Sequence, residues 1–283
     1  MQDGERLVCV PRGKLKRSGT IVPGDKVKVA DAGHGRGTIE ELLSRTTRLS
    51  RPSVANVDQV VIVASSRDPE PDLLLTDRIL VLCEFEELGA VVCLNKADLA
   101  SFETIQSFLR PYEKAGYPVL ATVATQGLGV EELKALLAGK ISVLAGPSGA
   151  GKSRLLNAVK PGAGLVTGEV SAKGRSGRHT TKHVELLVLE SGGLVADSPG
   201  FSRLDVDPVS KSRLRSLFPE FREPAKSCRY NGCFHRHEPG CAVKECVENN
   251  RITRSRYSHY IEFLNEIELF EARRYQHQPT VPH

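Results

Sequence analysis

Four short stretches carry side chains arranged for chemistry. Gly146-Pro147-Ser148-Gly149-Ala150-Gly151-Lys152-Ser153 has the spacing G-x-x-x-x-G-K-[ST], that of a phosphate-cradling loop. Glycines let backbone N–H groups converge on phosphate oxygens without a Cβ in the way. The helix that follows adds the positive end of its dipole. Lys152 would reach the β- and γ-phosphates, and the Ser153 hydroxyl would hold Mg²⁺. Asn95-Lys96-Ala97-Asp98 reads N-K-x-D. Guanine presents N1–H and its exocyclic amine side by side as donors. An ionised carboxylate such as Asp98 accepts both, and adenine offers no such pair. Asn95 would contact the base edge and pin neighbouring loops, with the Lys96 stem along the ring face. Asp197-Ser198-Pro199-Gly200 reads D-x-x-G: Asp197 would hold Mg²⁺ and the Gly200 N–H would meet a γ-phosphate. Cys228-x4-Cys233-x-His235-x5-Cys241 gathers three thiols and one imidazole, the donor set of a closed, tetrahedral, structural zinc site. His237 and Cys246 are spare candidates.

These stretches need elements to position them. Apolar, β-prone runs at Gln59–Ser65, Ala90–Leu94, Val119–Val123 and Ile141–Ala145 predict strands. Between them, 72–88 (with Leu75, Ile79, Leu82 and Phe85 at helical spacing), 101–115 (bent at Pro111) and 130–138 predict helices. The run 154–159 continues the phosphate loop as a helix. Such alternation predicts a parallel sheet with helices on both faces. Ala124 follows the third strand, where GTPases carry a base-contacting loop, although the usual Ser before it is Val123 here. Residues 165–178 are rich in Gly, Ser and basic residues and predict a mobile loop. Gly177-Arg178-His179-Thr180-Thr181 follows, and 184–189 with 193–196 predicts a strand pair ending in Asp197. Either Thr180 or Thr181 supplies the hydroxyl that closes on Mg²⁺ when triphosphate is bound. Spacing favours Thr181.

The ends differ from the middle. Net charge is +5 over residues 1–55, −4 over 56–210 and +4 over 211–283, so two basic ends that suit a polyanion such as RNA flank an acidic middle. Residues 1–55 alternate short β-prone runs (6–10, 26–30, 37–40) with Gly/Pro/Asp turns, the spacing of a small all-β, OB-like barrel. Lys14, Lys16, Arg17, Lys26, Lys28, Arg45, Arg48 and Arg51 make it basic with few aromatics, which points to backbone contact rather than base stacking. The tail predicts a helix over 250–275, with Arg251, Arg254 and Arg256 either gripping RNA phosphates or solvated. No apolar run approaches a membrane span, and the first residues lack a signal-peptide core. The expectation is a cytoplasmic protein. Seven cysteines, an odd number clustered late in the chain, point to metal rather than a disulfide framework.

The order of the motifs is informative. Ordinary GTPases run phosphate loop, switch threonine, D-x-x-G, N-K-x-D, whereas here N-K-x-D comes first. With Gly177-Arg-His-Thr-Thr181, Asp197-Ser-Pro-Gly-Phe201 and the cysteine cluster, the chain closely resembles, over nearly its whole length, the circularly permuted, ribosome small subunit-dependent GTPases (the RsgA/YjeQ family). The resemblance implies an N-terminal OB barrel (1–55), a permuted GTPase domain (56–210) and a C-terminal zinc module (211–283). It implies GTP hydrolysed to GDP, one structural Zn²⁺ on Cys228, Cys233, His235 and Cys241, and Mg²⁺ with the nucleotide. It also implies binding to the small ribosomal subunit and its rRNA late in assembly, with stimulation by the subunit. The protein is expected to be a monomer, and the barrel is short by the family's standard. Phe201 stands where many GTPases carry a water-orienting glutamine. His179 is therefore the candidate catalytic group, the alternative being that it orders the loop or touches RNA. Lys152 is the other catalytic candidate. A second functional reading is a nucleotide-gated RNA-binding checkpoint in which hydrolysis is only a release trigger.

Overall fold

The computed structural model describes residues 6–13, 15, 21–50, 52–165, 185–197 and 209–276. The first strands, β1 (Val8–Pro11), β2 (Val27–Gly33) and β3 (Arg36–Leu42), form a three-stranded sheet in the order β1-β3-β2. β4 (Arg48–Ser50) and β5 (Ser53–Ala55) form a separate two-stranded ribbon. Three basic residues of this region are already engaged: Lys28 pairs with Glu41 at 2.5 Å, Arg45 with Asp25 at 2.6 Å and, more loosely, Arg12 with Glu40 at 3.7 Å. Asn56 is buried and bonds to Gly24 and Thr46, tying the turn before β2 to the ribbon.

A six-stranded sheet follows, in the order β10-β11-β9-β6-β7-β8. Its strands are β6 (Gln59–Ser65), β7 (Gly89–Asn95), β8 (Val119–Thr122), β9 (Ile141–Ala145), β10 (Leu186–Val188) and β11 (Leu194–Asp197). All neighbours run parallel except β10 and β11. The strands read as continuous apolar runs because both faces are covered. Val60, Ile62 and Ala64 enter the core on one face, and Val61 and Val63 the core on the other.

The helices begin where their caps dictate. α1 (Leu73–Phe85) starts after Asp72, whose side chain accepts the Leu75 N–H at 2.8 Å. α2 (Phe102–Lys114) starts after Ser101 and keeps Pro111 inside. α3 (Val130–Leu137) and α4 (Lys152–Val159) follow glycines in the left-handed region. The C-terminal segment is helical: α5 (Lys211–Leu214), α6 (Pro219–Ala225), α7 (Ala242–Glu248) and the long α8 (Arg254–Gln276). The sequence placed the start of α8 at residue 250. Asn250 has a φ of 56°, so the chain turns there before the helix begins.

α1 is apolar almost all round, which an amphipathic surface helix is not. Leu73, Leu75, Ile79, Leu80 and Cys83 pack into the core on one face of the sheet. Leu74, Val81 and Phe85 pack into a second core with Phe218, Phe221, Tyr260 and Phe263. The helix belongs by sequence to the 56–210 stretch and by packing also to the C-terminal one.

Arg256 departs from expectation. It is only 1% exposed, so it neither grips RNA nor sits in solvent. Its guanidinium forks onto Glu220 at 2.7 and 3.0 Å and reaches Asp77 of α1 at 2.7 Å. Its neighbours Arg251 and Arg254 are exposed.

Candidate functional site

The carboxyl ends of β6, β7, β8 and β9 converge on one side of the sheet. From β6 the chain steps outward to β7 and β8, then returns to β9 on the other flank of β6. Such a switch point leaves a crevice between loops that leave in opposite directions, and the phosphate-loop motif lies in it.

Two of its glycines are required by neighbouring chain. Gly146 has a φ of 134°, and a Cβ there would lie 2.1 Å from the Val63 carbonyl oxygen. Gly151 has a φ of 90°, and a Cβ there would lie 2.4 Å from Asn95 Nδ2. The loop is thus pressed against the ends of β6 and β7, with room for backbone only. Gly149, Ala150 and Gly151 lead into α4, whose first residues are Lys152 and Ser153. Lys152 Nζ curls back over the loop and donates to the carbonyls of Gly146 and Pro147, both at 2.8 Å. Ser148 is exposed on the rim.

Asn95 is the junction of the site. It is 1% exposed. Its Nδ2 donates to the Ala150 carbonyl at 3.0 Å. Its Oδ1 accepts from Thr122 Oγ1 at 3.1 Å and from the Ala124 N–H at 3.4 Å. One side chain therefore locks the N-K-x-D turn, the phosphate loop and the loop after β8 to one another. Lys96 takes a left-handed backbone, and its Nζ donates to the carbonyls of Arg67, at 3.4 Å, and Asp68. Ser66 Oγ donates to the Lys96 carbonyl. Asp98 stands exposed in the short 3₁₀ turn Ala97–Leu99, where its carboxylate is open to a ligand.

The loop 66–72 and Thr122 were not singled out in the sequence. Pro69 Cδ is 3.3 Å from where a Gly149 Cβ would be, so this loop walls the phosphate loop as well as holding Lys96. The available signal was the pair Pro69 and Pro71 with a capping Asp72 at the end of a strand that had to neighbour β9. Asp197 closes β11, in register with Leu144 of β9, so its backbone lies on the phosphate-loop side. His179, Thr180, Thr181, Gly200, Phe201 and most of 165–178 lie outside the described residues, as do Lys14, Lys16, Arg17 and Arg51.

The second site is in the C-terminal segment. One ligand atom from each of Cys228, Cys233, His235 and Cys241 falls within 4.8 Å of all the others. His235 Nδ1 lies 3.4 Å from Cys241 Sγ and 3.6 Å from Cys228 Sγ. The spare candidates stay out of the cluster: Cys246 is buried in the adjoining core and His237 is exposed. Burial pushes the His235 imidazole down to about 4, which keeps it in the neutral, ligating form. Burial pushes the Cys233 thiol up to about 12, so a set of thiolates there calls for a cation. Soft sulfur with one imidazole in tetrahedral number fits zinc. The loop is braced around the cluster. Glu238 accepts the N–H groups of Phe234, Arg236 and His237 at 2.7 to 3.0 Å. Tyr257 and Tyr260 of α8 donate to the carbonyls of His235 and Phe234 at 2.7 and 2.8 Å.

The RsgA GTPase family model matches residues 42–207. The small ribosomal subunit biogenesis GTPase RsgA of Moorella thermoacetica is 49% identical, over 94% of this chain and 91% of that protein. The chain belongs to the RsgA GTPase family. The protein of the same name from Alkaliphilus metalliredigens is 44% identical over 94% of this chain and 92% of its own. Among solved structures, YjeQ from Thermotoga maritima superposes with a TM-score of 0.81 at 39% identity, covering 94% of this chain and 91% of that one. YloQ, described as a circularly permuted GTPase, gives 0.77 at 37%, covering 93% and 86%. The RsgA GTPase frame accounts for the motif order, with the guanine-type turn ahead of the phosphate loop on one sheet. Among the described residues no helix is long and apolar enough to cross a membrane.

Proposed function

We propose that the nucleotide site of this GTPase is the crevice between β6 and β9. The carrying observation is Asn95, which joins the N-K-x-D turn to the phosphate loop through the Ala150 carbonyl at 3.0 Å. As a member of the RsgA family the chain is a hydrolase acting on GTP, and it serves small ribosomal subunit biogenesis, as its relatives are named. Asp98 reads the guanine donors, with Asn95, Lys96 and Ala124 framing the base. Gly146 to Gly151 offer backbone N–H groups to the phosphates. Lys152 exchanges its two carbonyl partners for β- and γ-phosphate oxygens. Ser153, Asp197 and Thr181 would hold Mg²⁺, which would supply positive charge against that developing on the phosphates. Gly200 meets the γ-phosphate. His179 places the attacking water in line, because Phe201 has no group to do so. Water bonds to the γ-phosphorus as the bond to the bridging oxygen breaks, giving GDP and phosphate. The Cys228, Cys233, His235, Cys241 cluster holds one structural zinc. The basic ends, including the barrel read in residues 1–55, contact rRNA phosphates. The protein works as a monomer in the cytoplasm.

The test is single-turnover hydrolysis with and without saturating small subunits. We expect subunits to accelerate hydrolysis by at least about 10-fold, a cautious fraction of the roughly 10³–10⁵ that a supplied catalytic group can provide, and the gain to fade with salt. His179→Ala should remove most of that gain with GTP affinity nearly unchanged. Equal acceleration in both proteins would eliminate the histidine role. No acceleration in either would leave the checkpoint reading, with hydrolysis only a release trigger.

A further inference from the structure

Among the described residues, the most deeply buried ionic cluster lies away from both sites. Arg256 and Asp77 have side chains 1% exposed, and Glu220 is 8% exposed. Arg256 stacks over Phe218 at 4.9 Å and lies 5.8 and 5.7 Å from the ring centres of Tyr112 and Tyr117. His259 Nδ1 shares Asp77 with it, at 2.5 Å from Oδ2. Taking this many charged groups from water is costly and gives little net stability over apolar packing. What it does supply is geometry: a planar fork that fits only one arrangement of two carboxylates. The carboxylates come from α1 and α6, and the fork from α8. Arg78 on α1 adds a second fork onto Glu266 of α8, with both contacts at 2.6 Å.

α1 is also the continuation of the loop that walls the nucleotide site. Asp77 lies five residues beyond Asp72, which is about 8 Å along a helix. Asp72 caps α1 and accepts Thr76 Oγ1 on its carbonyl at 2.8 Å. Immediately before it, Arg67 and Asp68 hold Lys96 by their carbonyls, and Pro69 abuts Gly149. A short rigid element thus has one end against the nucleotide site and its middle clamped by the C-terminal segment.

We propose that Arg256 and Asp77 are positioning residues for the nucleotide site: by clamping α1 to α8 they set the loop 66–72, and through it Lys96 and the phosphate loop. This rests on the reading of the β6–β9 crevice as the nucleotide site. Coupling of this kind is reciprocal, so nucleotide must tighten the clamp as much as the clamp tightens nucleotide.

Amide hydrogen exchange on the unmodified, zinc-loaded chain tests this directly. Saturating GDP should slow exchange in the first turns of α8 by about 5-fold or more, the lower end of typical site-to-site coupling. GDP binding with α8 exchange unchanged would overturn the proposal and leave the nucleotide site standing. Failure of GDP to bind would remove both. A second measurement uses Arg256→Gln and Arg256→Lys. The first should speed GDP release by about 5-fold at unchanged zinc content, and the second should recover part of the loss. Lowered melting temperature with GDP release unchanged in both would show the cluster to be structural only.

Discussion

The Cys/His cluster and the proposed nucleotide site are built in opposite ways. The cluster draws its four ligands from one stretch, Cys228 to Cys241, and closes them around a point. The proposed nucleotide site draws on the ends of four strands, from Ser66 to Ser153, and most of its described side chains hold one loop to another. A local site stands or falls with its own ligand. A distributed site is only as exact as the sheet and helices behind it, which lets a distant clamp on α1 matter.

The largest expected effect is on the local site. Cys233→Ala opens a four-ligand set whose metal binding is worth about 10–16 kcal/mol of folding energy in small zinc modules. It should take zinc from one per chain to none and abolish the helical order of 211–276, while GDP still binds with faster release. Elemental analysis showing one zinc retained would break the comparison at its local end. Asp98→Asn should have a smaller effect, on selection alone. Replacing an ionised acceptor of two donors costs about 1.5–3 kcal/mol, or roughly 10- to 100-fold in GTP affinity, with preference moving to xanthosine triphosphate. Competition binding that still favours GTP would detach the N-K-x-D turn from the site.

The smallest effect sharpens the comparison from outside. Asp25 is half-buried with its side chain turned inward, 2% exposed, and the loss of water there works against its charge. The Arg45 guanidinium at 2.6 Å and the Val22 N–H at 2.7 Å nevertheless hold its carboxyl below the ordinary 3.8. A depressed carboxyl contributes stability that is present above the unfolded value and lost as pH falls through the folded one. Asp25→Asn should cost about 1 kcal/mol at neutral pH, and its gap to wild type should close below about pH 3.8. Denaturant melts across pH follow this, with zinc content and GDP affinity expected to stay put. Movement in either would make the N-terminal sheets part of one of the two sites.

The same contrast explains what could be read in advance. The cysteine cluster was legible because its ligands are close in sequence and of types that have little other reason to gather. The sheet was legible from its apolar runs, and the phosphate loop and N-K-x-D from spacing. Why Gly146 and Gly151 must be glycines was not, because the reasons are Val63 and Asn95, which lie 83 and 56 positions away in the chain. Ser66, Asp68 and Thr122 act through backbone carbonyls and a buried amide, contacts that leave no spacing pattern. Arg256 reads in the sequence as an RNA contact or a solvated side chain, because neighbouring arginines at a helix start usually face solvent. Only the arrival of Asp77 and Glu220 from two other helices reverses that.

The two-sided burial of α1 also has a consequence in time. During synthesis Leu74, Val81 and Phe85 emerge long before Phe263 and Ile267, which cover them. At about 5–20 residues per second the interval is roughly 10–40 s. Through it, a chain whose sheet-side core is forming carries a bare apolar stripe on its outer helix. α8, the last helix among the described residues, therefore completes the surface of α1, made long before it. A nascent chain halted before residue 250 would present that stripe to chaperones and to other unfinished copies.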